Sequence, residues 1–585
     1  MRFSSLFVAG VAIAGLAASP SRVTRQEAPP VESNSGMVVS VNGYASDIGA
    51  AILAKGGNAV DAAVAIGFAL AVVHPAAGNL GGGGFMIVRP ASGVGATTFD
   101  YREKAPLKST KTMYLDSAGN VVRTRDDSTG RLTGTLTSTG YLAPGVPGTV
   151  KGLALAHRRF GKLSWQTVVS PAADLAKNGF VLSADLARSI NREVLRGMKP
   201  YPQSVKAYGK PGGGEWAGGD TMRLPDLARA LRSIANQGPS AFYTGWIADS
   251  IAATMKRGGG LITKRDLAAY VAKERRPVRG TYRGHEIISM PPPSSGGVAL
   301  IEMLNILERY DLAKLGHGSP AANHLIIEAQ RRAYLDRARF LGDPDFVTVP
   351  VARLTSKAHA TTVAATINPA VATRSSEIGK DILTKELPPE SEETTHFSVV
   401  DKDGMAVSNT YTLEGSYGSH VVVSGAGFIL NNEMGDFNKK PGYTDSLGAI
   451  GTPANLIAPG KRMLSSMTPT IVTKDGKLFL ITGSPGGRTI INTTLHVVLN
   501  SIDFGMDVRQ AVNAPREDFE WMPDSVSFER DGIADSTVKA LEAMGHRIRL
   551  RGRWGDAHSI RYDAATRTAY GANDSRSPDS KVSKP

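Results

Sequence analysis

The stretch Ser391-Glu392-Glu393-Thr394-Thr395-His396-Phe397-Ser398-Val399-Val400-Asp401 decides how the rest of the chain is read. The polar, proline-bearing run Lys385-Glu386-Leu387-Pro388-Pro389-Glu390 before it reads as an exposed segment. After it, Phe397, Val399 and Val400 lead into the turn Asp401-Lys402-Asp403-Gly404, and Met405 to Thr412 follows as a second β-rich run. Two such runs around an Asp-x-Asp-Gly connection predict a hairpin. Thr394 therefore stands where an accessible loop enters a strand.

A threonine hydroxyl is a weak nucleophile without a neighbouring base. Cleavage of the Glu393–Thr394 bond would create one, because the new α-amino group, with a pKa of about 7.7–8.0, is partly neutral near pH 7. Thr394 would then carry nucleophile and base on one residue. Thr-Thr at the start of a strand is also plain β-propensity. These residues alone leave both readings open.

Composition excludes several other chemistries. The chain of 585 residues is long enough for a large core, and 42% apolar with 21% charged residues suits a globular protein. The formal charge of +14 is spread along the sequence without a nucleic-acid-binding signature, so it reads as a basic, solvated surface. With no cysteine, disulfides, thiolate metal sites and a cysteine nucleophile are all excluded. No zinc-ligand spacing is present, so neither metal nor cofactor is expected. Arg2, the apolar run Leu6 to Leu16 and the small residues Ala17-Ala18-Ser19 match a secretory signal too short to span a bilayer. An uncleaved anchor is the alternative. Export to the periplasm or medium is the expectation, with a signal at 1–19 and a loose segment at 20–36.

Along the chain, Asp47 to Lys55 reads as a short helix, and Asn58 caps a second from Val60 to Val73 that is apolar nearly all round and so buried. Gly81-Gly82-Gly83-Gly84 before the strand Phe85 to Val88 reads as a tight backbone passage, since the lysine of a phosphate loop is missing. Arg102 closes the following strand and can grip a carboxylate bidentately, although taken alone it reads as an ordinary ion-paired arginine. From Gly148 to about Leu341 helical patterns dominate, for example Pro171 to Lys177, Ala184 to Met198, Ala241 to Met255 and His324 to Phe340, interrupted by one extended run from His285 to Met290. Residues 342–393 read as a long connection. The piece from Thr394 onward is domain-sized, with strands expected at Val421 to Val423, Phe428 to Leu430, Thr470 to Val472 and Leu478 to Ile481, then helices, then a frayed polar tail from Asn573. Strands followed by helices suit a layered α+β arrangement.

Thr394 to Asp401 closely resembles the start of the small subunit of γ-glutamyltransferases (γ-glutamyltranspeptidases). Three later motifs agree in order and spacing: Asn431 to Phe437, Pro459 to Thr470, and Gly483-Ser484-Pro485-Gly486-Gly487. Upstream, Gly78 to Met86, Arg102 to Pro106 and Pro144 to Gly148 also look like the family, so the resemblance runs from about residue 35 to about 572. It implies an N-terminal-nucleophile hydrolase fold, a four-layer αββα sandwich built from two chains of one self-cleaved precursor, a large subunit at 37–393 and a small one at 394–585. Thr394 would attack the γ-glutamyl amide of glutathione or another γ-glutamyl compound. The acyl group would pass to water, or to an amino acid or dipeptide acceptor. The resemblance further implies that Thr412 orients the Thr394 hydroxyl and that Gly486 and Gly487 offer N–H groups to the oxyanion. Arg102, Ser465 and Ser466 would bind the α-carboxylate, with Asp436, helped by Glu414 and Glu433, on the α-ammonium.

Two positions depart from many bacterial members, which carry Asn where Glu414 stands and Gln where Glu433 stands. The run from Asn438 to Arg462 is long enough for a lid, although its tip, Tyr443 to Leu447, places the tyrosine unusually. His396 is expected to be a packed strand histidine, because the α-amino group already serves as base. A cephalosporin (glutaryl) acylase, whose substrate lacks the α-ammonium, is the near alternative. An exported, inactive binding protein of the same fold is the distant one.

Overall fold

The protein is described by a computed structural model covering residues 28–125, 132–382, 394–442, 444 and 451–585. The signal-like start, Glu393 and most of the lid tip lie outside the described residues. Among the described residues, fourteen strands build two seven-stranded sheets: β1 (Val31–Ser33), β2 (Gly36–Ser40), β3 (Gly83–Arg89), β4 (Thr97–Asp100), β5 (Lys273–Arg275), β6 (Val278–Tyr282), β7 (His285–Ser289), β8 (Thr395–Asp401), β9 (Ala406–Thr412), β10 (Thr470–Lys474), β11 (Lys477–Thr482), β12 (Ser559–Asp563), β13 (Thr568–Ala572) and β14 (Lys581–Ser583). One sheet runs β14-β2-β8-β9-β3-β4-β5 and the other β1-β13-β12-β11-β10-β7-β6, antiparallel throughout.

The strands are apolar on both faces, which tells where they lie. Met37, Val39 and Ile87 from the first sheet meet Ile288, Ile471, Ile481 and Ile560 from the second, forming the layer between sheets. Their alternates, Val38, Met86, Val88 and Val399, point the other way onto helices α1 (Gly43–Ala54), α2 (Ala59–Val73), α3 (Thr149–Phe160) and α4 (Trp165–Asn178). Ile287, Val472 and Leu480 likewise pack under α5 (Gly296–Leu307), α6 (Pro320–Phe340), α7 (Lys357–Ala364) and α8 (Thr489–Ile502). The period of two places each strand between a neighbouring sheet and a helical layer. The result is the expected αββα sandwich.

Helix α2 shows how sequence sets position. Asn58 and Asp61 form a reciprocal capping box, and all fifteen residues are buried. The Asp61 carboxylate also accepts from the Lys162 and Leu163 backbone at 3.0–3.3 Å, which ties α2 to the turn after α3. The four-glycine run is the tight passage its composition predicts. A Cβ on Gly81 would lie 2.2 Å from Ile429 O, on Gly82 2.0 Å from Thr412 O, and on Gly84 2.4 Å from Tyr411 Cβ. Asn431 locks this crossing, donating to Gly81 O and Gly145 O and accepting from Gly145 N.

Several sequence expectations are corrected. Val421 to Val423 and Phe428 to Leu430 are not strands; a single bridge joins Val422 to Ile429. Residues 342–382 contain short helices at Val351–Leu354, Lys357–Ala364 and Ser375–Ile378. The helix expected over Ala241 to Met255 breaks at Thr244-Gly245 into two. Residues from Val31 are not loose, since β1 and β2 enter opposite sheets. The tail is not frayed either: β14 pairs with β2, and the buried Asp574 carboxylate receives Arg516 Nη2 at 2.6 Å and Arg576 Nη1 at 3.0 Å. Polar composition looked like solvent-exposed chain because its charges find their partners only in the folded protein.

Candidate active site

The β8–β9 hairpin aligns Thr395 with Tyr411, which puts Thr394 opposite Thr412 at the open end of the ladder. Both residues line a cavity of about 540 Å³. The same cavity is lined by Gly487, Arg102, Glu414, Glu433, Asp436, Ser465 and Ser466. Gly486 is not in its wall. It sits one residue behind, and both glycines take positive φ, +127° and +56°, where side chains are disfavoured. Helix α8 starts two residues after Gly487, so the positive end of its dipole lies at this wall.

The charged end of the cavity is built around Arg102, which is fully buried. Its Nη1 pairs with Glu433 Oε1 and its Nη2 with Asp436 Oδ2. Nη2 also donates to Leu464 O at 2.9 Å, and Nε to Met463 O at 3.4 Å. Glu103 lies 3.6 Å from Nη1 with neither carboxyl oxygen hydrogen-bonded. Burial, opposed by the Arg102 charge, pushes the Glu103 carboxyl up to about 7. Burial likewise raises Glu433 well above the usual carboxylate range, reinforced by the neighbouring carboxylates Glu103, Asp436 and Glu414. The guanidinium expected to be open for a substrate carboxylate is thus already occupied by two side-chain carboxyls.

Directly after Leu464, whose carbonyl accepts from Arg102 Nη2, the cavity wall carries Ser465 and Ser466. Ser466 Oγ accepts from Arg337 Nη2 at 2.9 Å, while Arg337 Nε donates to Ser295 Oγ at 2.9 Å, and Ser295 Oγ donates to Ser465 O at 2.7 Å. Arg337 also lines the cavity. Sequence reading missed it, because an arginine in the last turn of α6 looks like an ordinary dipole-compensating residue. Lys439 and Lys440, at the start of the lid-like run, face the cavity too. That run is laced at its base by Asn438 N to Asn455 O (2.9 Å) and Gly442 N to Gly451 O (2.9 Å).

His396 is completely buried, with Nδ1 2.9 Å from Thr410 Oγ1 and Nε2 3.1 Å from Ser398 Oγ. Burial, with His558 nearby, holds its imidazole well below the usual histidine range. It is a neutral strand residue, as expected.

The comparisons agree on what this arrangement resembles. The family model described as gamma-glutamyltranspeptidase matches residues 45–583. The glutathione hydrolase proenzyme of Escherichia coli (strain K12) is 48% identical over 553 residues, covering 94% of this chain and 92% of its own length. Among solved structures, cephalosporin acylase from Bacillus halodurans superposes with a TM-score of 0.83 at 25% identity, covering 98% of this chain and 99% of its own. Helicobacter pylori gamma-glutamyltranspeptidase matches with a TM-score of 0.54 at 46% identity, covering 59% of this chain and 96% of its own. On the length and identity of these matches, the chain belongs to the gamma-glutamyltranspeptidase family.

Proposed function

We propose that this protein is a γ-glutamyltransferase and glutathione hydrolase that cuts itself between Glu393 and Thr394. The observation that carries the reading is Thr394 at the mouth of β8, opening into a cavity whose far end gathers one arginine and three carboxyl side chains. In the precursor, Thr394 Oγ attacks the Glu393 carbonyl, the C–N bond breaks, and an ester forms with a freed α-amino group. Water then hydrolyses that ester, leaving a carboxylate on Glu393. In the mature enzyme the amino group takes the hydroxyl proton as Oγ attacks the substrate γ-carbonyl, and that proton passes to the departing amine. Water or an incoming amine completes the cycle.

Thr412 orients the hydroxyl, and the Gly486–Gly487 amides, ahead of the α8 N-terminus, face the developing oxyanion. A zwitterionic glutamyl head fits the charged end by exchange. Its ammonium draws Asp436 away from Arg102, with Glu414 and Glu433 beside it, and its carboxylate takes the released guanidinium N–H together with Ser465 and Ser466. Strands on both sides of residue 393 contribute to both sheets, which supports a heterodimer of 37–393 and 394–585 that stays together after cleavage. Export under the 1–19 signal belongs to the same proposal. Among the described residues no helix is long and apolar enough to cross a membrane.

Intact-mass analysis with and without Thr394→Ala tests it. Two fragments meeting at Glu393/Thr394 and release of glutamate from glutathione are expected for the wild type, with one inert chain for the variant. An uncut wild-type chain that is fully active overturns the reading. The glutaryl acylase reading draws on the fold match and on acylase ACY 1 proenzymes of Pseudomonas sp. that are 39% identical over 525 residues. Comparing γ-glutamyl and glutaryl amides of the same amine separates the two, since only the former carries an ammonium for Asp436.

A further inference from the structure

Away from the cavity, three helices converge on side chains that the chemistry above does not use. Glu302 of α5, Asp336 of α6 and His359 of α7 each offer one ligand atom, and these atoms lie within 4.8 Å of one another. His359 Nε2 is 2.9 Å from Asp336 Oδ2 and 3.4 Å from Glu302 Oε1. Glu302 is only 1% exposed, and its Oε1, aimed at the histidine, has no hydrogen-bond partner. Among the described residues neither carboxylate is ion-paired with a lysine or arginine. Two carboxyl groups held together beside a part-buried imidazole are costly unless they share a positive charge, which a proton on His359 or a bound metal cation can supply.

A second trio, His324, Glu328 and His546, makes the contrast. There the carboxylate is already taken by Arg331 and Arg332, so an added cation would meet two positive charges. The first trio has no such competitor. Its geometry also fits a metal. Tetrahedral bonds of about 2.0–2.2 Å set neighbouring ligand atoms about 3.3–3.6 Å apart. The Glu302–His359 separation already lies in that range, and the Asp336–His359 separation needs to open by about half an ångström.

We propose that Glu302, Asp336 and His359 form a binding site for a divalent transition-metal cation, zinc(II) before manganese(II), with water completing the coordination. One nitrogen and two carboxylate ligands suit these ions better than magnesium or calcium, which take oxygen ligands. The site pins three helices to one another. It also fixes the last turns of α6, where Arg337, next to Asp336, holds Ser466 Oγ and Ser295 Oγ. The ion's role is therefore structural and it takes no part in acyl transfer.

The test uses untagged, self-cleaved, full-length protein stripped with a chelator. Zinc(II) titration by calorimetry and metal analysis after gel filtration should give one equivalent bound and a higher thermal midpoint. Asp336→Asn and His359→Gln should each weaken zinc binding at least tenfold and lose the thermal gain. Cobalt(II) in the stripped wild type supplies a check needing no variant, and the intense visible bands of a four-coordinate ion are expected. Failure of the wild type to bind zinc(II) or manganese(II) stoichiometrically overturns the proposal. So does binding that is unchanged in both variants, or a cobalt spectrum no different from that of the aquated ion.

Discussion

At the scale of single residues, Glu414 shows strain held at the cavity wall. Its φ is +80°, and Tyr417 and His420, three and six residues on, also take positive values. A non-glycine residue held there costs on the order of 1–3 kcal/mol. Glu414→Gly should relieve that strain. The gain is partly offset by about 0.5–1 kcal/mol of extra freedom in the unfolded chain. We expect a thermal midpoint equal to or slightly above the wild type, with a raised KM for γ-glutamyl substrates because the proposed binding mode loses a carboxylate beside the ammonium. A lower midpoint together with an unchanged KM contradicts both halves of this account. Thr394, Arg102, Gly487, Ser465 and Ser466, singled out in the sequence by the family resemblance, do line one cavity, whereas Gly486 stands behind its wall. Arg337 was not legible in the sequence, because its role depends on Ser295 and Ser466, 42 and 129 positions away. The saturation of Arg102 by Glu433 and Asp436 was hidden for the same reason, since pairing across 331 and 334 positions leaves no local mark.

At the scale of elements, the glycine crossing sets how β9, the strand opposite Thr394, is seated. A methyl group at Gly82 would sit 2.0 Å from the carbonyl of Thr412, far inside contact distance and against backbone rather than a movable side chain. Gly82→Ala should therefore displace the end of β9, destabilise the protein by about 2 kcal/mol or more, and leave most of the chain uncut on a denaturing gel. Normal cleavage at normal stability would show that the crossing has room the geometry does not suggest. Elements with strong local signals were read correctly, notably α2 with its cap, the β8–β9 hairpin and the pair β10–β11. Errors fell where partners are remote. The tail joins an edge through β14 and Asp574, and the 342–382 segment is held by short helices whose packing, not their periodicity, defines them.

At the scale of the whole molecule, the αββα layering was legible through the family resemblance, whereas strand and helix patterns alone reached only a layered α+β class. Stability against acid should carry a recognisable contribution from His546. Burial, with His324 and Arg331 adding to it and the Glu328 and Asp524 carboxylates opposing, pushes its imidazole down to about 4. The unfolded chain takes up this proton near pH 6.5, whereas the folded protein refuses it until about pH 4. Stability is thus lost as the pH falls through that window, by at most about 3 kcal/mol, and levels off below it. His546→Gln should flatten the thermal midpoint between pH 6.5 and 4; an unaltered slope would assign the effect to other groups. The chain ends offer a separate lever. β1 and β14 flank β13 and β2 in opposite sheets, and Lys584 Nζ reaches Glu32 O at 3.4 Å, so the start and finish of the described polypeptide are neighbours in space. A short linker joining them would let a gene be rewired to open at Thr394 and close near residue 382. Once the initiator methionine is trimmed, such a permuted protein would be born with its amino-terminal threonine exposed, and should work without ever passing through a maturation step.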